Sequence, residues 1–250
     1  TKMKKGILVV IMTAILFGYA NAQIVTDRPD QTESSSTVGA GDLQIESGIL
    51  VAYEGDNAFI SSDRQLLLPT NLLRYGLTKG IELRLLSQFE TQRIYDKNIQ
   101  GISDLEIGTK IQILQDESKD AEIALLSHLV FPTGTEELTG GSFGIINKLC
   151  MSYPLSENIG LGYNVGLNYL GEGIDLTYSL AVGTSVNDKV GVYIEPYGEL
   201  TEFEEFVLNF DAGFTYLAND NLQFDFSFGT GISHRMNYIS IGVSWLMEKG

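Results

Sequence analysis

A period of two constrains this chain more than any other feature. From residue 159 onward apolar and small polar side chains alternate at nearly every step, so each stretch carries one apolar face and one polar face. Ile159, Leu161, Tyr163, Val165, Leu167 and Tyr169 share a face, while Gly160, Gly162, Asn164, Gly166 and Asn168 share the other. Ile174, Leu176, Tyr178, Leu180 and Val182 are set in the same way against Asp175, Thr177, Ser179, Ala181 and Gly183. The pattern returns in Phe206 to Tyr216, in Leu222 to Gly229 and in Ile239 to Trp245. Helical side chains come back into line only every ~3.6 residues, so these faces belong to extended strands.

The polar face decides between a soluble sandwich and a membrane barrel. A sandwich would show water mostly Lys, Glu and Thr. Here the polar face is largely Gly, Asn, Ser and Asp, which suits a crowded, wet barrel interior, and the wall of Phe, Leu, Ile and Tyr suits lipid. Strands of about ten to thirteen residues match a tilted bilayer crossing. An open sheet edge in hydrocarbon would leave amides unpaired at a cost of several kcal/mol each, so the strands are expected to close on themselves.

Turns supply the count. Short polar breaks fall at 78–80, 116–120, 156–158, 187–188 and 218–220, and they alternate with breaks at 55–63, 96–101, 134–141, 171–173, 201–205 and 234–237 that tend to be longer. Short turns face the periplasm in outer-membrane barrels, which puts both chain ends there too. The expected strands are 43–54, 64–77, 80–93, 102–115, 121–133, 142–154, 158–170, 173–186, 189–200, 205–217, 221–233 and 237–247. The fold class is therefore all-β: a closed antiparallel transmembrane β-barrel of about 12 strands, preceded by a cleaved signal peptide.

The signal reading rests on Lys4 and Lys5, the apolar run Ile7 to Phe17, and the small-residue triplet Ala20-Asn21-Ala22. That run is far short of the ~20 residues a membrane helix needs, so cleavage after Ala22 is expected. The chain then divides into 1–22 as signal, 23–42 as a periplasmic lead or lumen plug, and 43–250 as barrel. No second long apolar run follows, which excludes helical spans. Charged residues are sparse at 19%, glycines number 27, and the formal net charge is −16, which argues against nucleic acid as a partner. Cys150 is the single cysteine, so no internal disulfide is available and no lipid-bearing cysteine stands at the cleavage point.

Parity assigns the lumen charges. Arg74 should point inward from the second strand, Glu82 and Arg84 from the third, Asp104, Glu106 and Lys110 from the fourth, and Glu122 and His128 from the fifth. Glu195, Asp211 and Asp225 extend an acidic lining on the far side, with Glu199. Charges of both signs in a narrow barrel must pair. Two readings stay open: the network fills the lumen, or Arg74, Arg84 and Lys110 face the acids across a constriction and set up a transverse field.

Several stretches also carry a family resemblance. Thr26-Asp27-Arg28-Pro29-Asp30 with Glu33-Ser34, Leu43-Gln44-Ile45-Glu46-Ser47-Gly48, Leu73 to Thr78, Ile81 to Arg84, Asp104 to Lys110 and Phe131-Pro132-Thr133-Gly134 resemble the meta-pathway phenol-degradation family of outer-membrane transporters. The resemblance runs along essentially the whole mature chain. It implies an outer-membrane barrel associated with uptake of aromatic or other apolar compounds. One departure stands out. Such barrels usually end on an aromatic residue read by the barrel-assembly machinery, whereas here Trp245 is followed by Leu246-Met247-Glu248-Lys249-Gly250.

The segment before the first strand is polar, Ser-rich and aperiodic. It is either a disordered lead or a plug in which Asp27, Arg28 and Asp30 pair with lumen charges and Pro29 fixes a bend, the second being favoured by the density of charge around Pro29. Catalysis finds little support. His128 has inward parity, and His234 only neighbours Ser233 in a loop, so no nucleophile-base pair stands out. Two histidines and one cysteine fail every structural zinc spacing, acidic runs at Glu136-Glu137 and Glu202 to Glu205 read as solvated loops, and no phosphate-binding glycine loop appears. The expectation is a channel or transporter in the bacterial outer membrane, without cofactor, whose partners are lipid, the barrel-assembly machinery and a small solute. A structural or adhesive barrel with a plugged lumen is the alternative, and an outer-membrane hydrolase the weaker one.

Overall fold

A computed structural model describes residues 24–57, 61–94, 97–116, 121–156, 158–171 and 173–250. The expected signal segment lies outside them, as do parts of the breaks at 55–63, 96–101, 116–120, 156–158 and 171–173. The regular elements are all strands: β1 (Leu43–Asn57), β2 (Ser61–Thr78), β3 (Ile81–Ile94), β4 (Lys97–Ile102), β5 (Leu105–Asp116), β6 (Ala121–Phe131), β7 (Gly144–Pro154), β8 (Ile159–Tyr169), β9 (Ile174–Asn187), β10 (Val190–Thr201), β11 (Glu205–Asn219), β12 (Leu222–Gly231) and β13 (Met236–Met247).

All pairings are antiparallel, and the sheet closes on itself. β1 pairs β13 along its length, from Leu43 opposite Met247 to Glu54 opposite Met236, and pairs β2 on its other side. β3 has two partners on its second edge. Its first half, Ile81 to Leu86, pairs β5, and its second half, Phe89 to Ile94, pairs β4. β4 and β5 thus fill one place in the ring, which makes a closed barrel of twelve strand positions.

The split corrects the expected single strand 102–115 and the expected loop 96–101. Its cause is tertiary. Asp104 turns away from the sheet and accepts the backbone N–H groups of Gly134 (2.8 Å) and Gly140 (2.9 Å), while the Ser103 amide donates to Gln88 (3.0 Å) and its hydroxyl to Glu90 (2.7 Å). The chain leaves the pleat for two residues and then rejoins it. Elsewhere the strands fall close to the expected boundaries, with β1 and β2 somewhat longer.

Parity separates two media. Phe224, Ile241 and Trp245 are 46%, 51% and 52% exposed on the outer wall, while Asp225, Ser240 and Ser244 on the opposite parity are buried inside. Phe214 and Phe226, opposite one another on β11 and β12, stack at 5.5 Å and knit the outer face. Among the described residues, buried apolar side chains form two small clusters inside. Ala124, Leu126 and Cys150 form one against the wall, and Ile24, Val38, Leu217 and Leu246 form the other beside the short turns.

Placing Arg at Ile241, midway along β13 on the outer wall, should lower stability by about 2–4 kcal/mol, the cost of a cation in the lipid midplane. Urea titration of the barrel folded into lipid vesicles measures this, and a stability equal to the parent would remove Ile241 from the lipid face.

Candidate functional site

Residues 26–38 lie inside the barrel and follow its inner wall. Starting at β12, Gln223 donates to the Thr26 hydroxyl (2.8 Å). At β10 the Gln31 amide donates to Glu195 (2.7 Å), and at β9 the Thr32 and Ser179 hydroxyls meet at 2.7 Å. The Asn164 amide on β8 accepts from the Glu33 N–H (2.7 Å) and donates to the Glu33 carbonyl (3.1 Å), as a neighbouring strand would. Ser35 reaches Ser152 on β7 and Glu122 on β6, and the Val38 N–H donates to Glu82 on β3 (2.8 Å). An aperiodic sequence suits this path. Its polar backbone meets wall side chains rather than a ladder, and the cis Arg28–Pro29 bond sits at its first bend.

Asp27 is the charged centre. Lys110 Nζ lies 2.9 Å from both of its oxygens, Arg84 donates to it, and Arg74 stands 3.3 Å away. Arg74 also pairs with Glu46 and Glu82 (2.9 Å each), and Arg84 with Glu82 and Glu33 (2.8 Å each). Burial alone would raise the Asp27 carboxyl, but the cations Arg74, Lys110 and Arg84 hold it well below the usual aspartate range. Asp30 has the opposite surroundings. Loss of water and the neighbouring Glu195 and Asp211 carboxylates push it well above that range.

Arg28 points the other way from Asp27. Its guanidinium grips both oxygens of Asp225 (3.0 and 3.2 Å) and donates to Ser240 (2.9 Å). The room comes from Gly48 and Gly242, which face each other across the β1–β13 pairing, and a Cβ on either would overlap the guanidinium. Adjacent residues of opposite charge are thus divided between the cationic wall of β2, β3 and β5 and an acid on β12.

The structure therefore brings Arg74, Glu82, Arg84 and Lys110 together around Asp27 and sets Asp225 on Arg28. Glu195 and Asp211 are register partners on β10 and β11, with Asp211 accepting from the Tyr238 hydroxyl (2.6 Å). Glu122 accepts from the Ser35 and Ser36 hydroxyls of the segment, and Glu106 pairs with His128 (2.7 Å). Asp104, expected in the lumen, instead caps the loop 134–140 and does not join the cluster. Sequence reasoning missed Glu33 and Glu46, although Glu46 has inward parity. It also missed Tyr193, Tyr197 and Tyr238, which sit on the polar parity.

Two cavities flank the segment. One of about 660 Å³ is lined by residues including Ser152, Gly162, Thr184, Tyr193 and Thr215 and opens beside the short turns around 156–158. The other, about 260 Å³, is lined by Gln31, Lys148, Asn168, Tyr197 and Asn209, among others. Among the described residues no cluster of His, Cys, Asp and Glu is arranged to hold a metal ion.

A closed, twelve-position barrel with a lipid-facing wall and a polar lumen threaded by its own N-terminal segment defines a bacterial outer-membrane β-barrel. The chain belongs to the family described as "Putative MetA-pathway of phenol degradation", whose profile matches residues 26–245. Among solved structures it is similar to the COG4313 outer membrane channel from Pseudomonas putida F1, at 12% identity and a TM-score of 0.66, covering 89% of this chain and 100% of that one. It is also similar to the KdgM porin in complex with disordered oligogalacturonate (9%, TM-score 0.56, 81% and 98% covered). The translocator domain of the autotransporter NalP from Neisseria meningitidis follows at 10%, TM-score 0.50, with 83% and 89% covered. At these identities the likeness is one of fold. No curated protein matches the sequence significantly.

Two aspartates three positions apart should respond in opposite senses. Asp27→Asn leaves three buried cations short of their shared anion and should weaken docking of 24–42 by about 3–5 kcal/mol. Because its carboxyl is depressed in the fold, Asp27 contributes stability above the unfolded-state value and loses it only as pH falls through the lower folded value. Asp30 is elevated, so its contribution worsens as pH rises, and Asp30→Asn should strengthen docking at neutral pH with little effect in acid. Hydrogen exchange of the segment's amides reads both, and a shared direction at neutral pH would refute the assignment.

Proposed function

We propose that the protein is a gated outer-membrane channel that passes small solutes, aromatic ones among them, and not an enzyme. One observation carries this reading. The lumen is obstructed in part by residues 26–38, a stretch outside the wall that joins it covalently at β1, so this part of the obstruction can move while the barrel stays intact. Tyr193 and Tyr197 line the two cavities from β10 and offer aromatic faces beside hydrogen-bonding groups. The family's description, phenol degradation, agrees with a hydroxylated aromatic solute.

Catalysis by the lumen histidine does not fit its contacts. His128 receives the Arg84 Nε–H at Nε2 (3.0 Å) and meets Glu106 at Nδ1, so both ring nitrogens are engaged in the charge network. Lipid is the partner of the outer wall, and the barrel-assembly machinery would read β13, whose Trp245 faces outward.

Planar bilayers test the reading. Deleting residues 24–42 should produce steady conductance, and reversal potentials should favour cations, because acids outnumber bases on the bared lumen wall. A deletion protein that folds yet never conducts would leave a sealed structural barrel as the better account. Replacing Arg74, Arg84 and Lys110 together by Gln in the deletion background should strengthen the cation preference, and an unchanged reversal potential would exclude them from the constriction.

A further inference from the structure

The two cavities are stacked along the same strands. On β8, Asn168 lines the smaller and Gly160 the larger; on β9, Thr177 lines the smaller, with Ala181 and Gly183 in the larger; on β10, Tyr197 and Glu199 belong to one and Tyr193 to the other. Between them, at the level of Asn164, Ser179 and Glu195, lie Gln31, Thr32 and Glu33. Thr32 bridges Ser179 and Glu195, and its neighbours are held by the Glu195 carboxylate and the Asn164 amide.

Resting on the channel reading above, we infer that solute passes only along the β7–β11 side of the lumen and that Gln31–Glu33 is its gate. The rest of the segment is anchored. Before the gate, Asp27 is held by three cations and Arg28 by Asp225; after it, Ser35 and Ser36 hold to Glu122, and the Val38 amide to Glu82. Within the gate the ion pairs among the described residues are those of Glu33, to Arg84 at 2.8 Å, to Lys148 at 3.9 Å and to Lys110 at 4.0 Å, so its carboxylate is the latch. A bow of the chain between two fixed points joins the cavities without release of the whole segment.

The walls of this path select by hydrogen bonding. Asn168 Oδ1 and Asn209 Oδ1 have no protein partner and line the smaller cavity, and Asn209 is only 7% exposed. Such acceptors favour a small solute that carries hydroxyl donors and little charge.

The test uses the full chain in planar bilayers with Cys150→Ala throughout. Replacing Gln31, Thr32 and Glu33 by glycine should raise conductance several-fold over the parent, and Glu33→Gln should raise it partway. A Thr32→Cys, Ser179→Cys pair should close the channel when oxidised and reopen it on reduction. A Thr26→Cys, Gln223→Cys pair, placed at the anchor and oxidised in the triple-glycine protein, should leave its current unchanged. If that anchor disulfide abolishes the current, the whole segment must leave and the local gate is wrong. If the triple-glycine protein conducts no better than the parent while deletion of 24–42 opens the barrel, the gate lies elsewhere and the channel reading survives. If the deletion is also closed, the channel reading fails and takes the gate with it.

Discussion

Hydrocarbon offers a backbone amide no partner except another amide, and the molecule's organisation follows from that constraint. It forces β1 onto β13 and turns a sheet into a tube. A tube of twelve positions is narrow, so charges on its inner wall lose much of their water and must find counter-charges. The wall is lopsided, with Arg74, Arg84 and Lys110 gathered on β2, β3 and β5 and acids on β10 to β12. The N-terminal segment answers this asymmetry with two consecutive residues, Asp27 toward the cations and Arg28 toward Asp225.

The wall was legible because its information is local. Each strand states its own two faces, and closure follows from the medium, so Phe224, Ile239 and Trp245 could be assigned outward without knowing any neighbour. Pairing inside the lumen is not local. Whether Arg84 meets Glu106, Glu82 or Asp27 depends on register and on a segment with no period at all. Parity also loses its authority at strand ends. Asp104 has the inward position, yet two loop amides claim it, and the same contact divides β4 from β5. Two departures from the alternation are visible in the sequence. Leu126 and Leu246 are apolar on the polar parity, and both prove to be packed inside.

The segment is not held evenly. Around Asp27 attraction exceeds the cost of burial, whereas around Asp30 three carboxylates crowd one region without a cation among the ion pairs described there. A strongly bound stretch and a repelled stretch thus sit three residues apart on one chain. Uneven tethering of this kind lets one part of a terminal segment yield while another stays in place, which a uniformly plugged lumen would not allow.

The glycine notch that seats Arg28 has a bearing on assembly. Gly48 comes from the first strand and Gly242 from the last, so the notch does not exist until the two ends of the sheet have met. Asp225, the carboxylate beyond it, arrives one strand earlier. The N-terminal residues therefore cannot take their final position on a barrel that is still open along its seam. Seating of this one arginine thus requires a sealed seam, a dependence written into two glycines from opposite ends of the sheet.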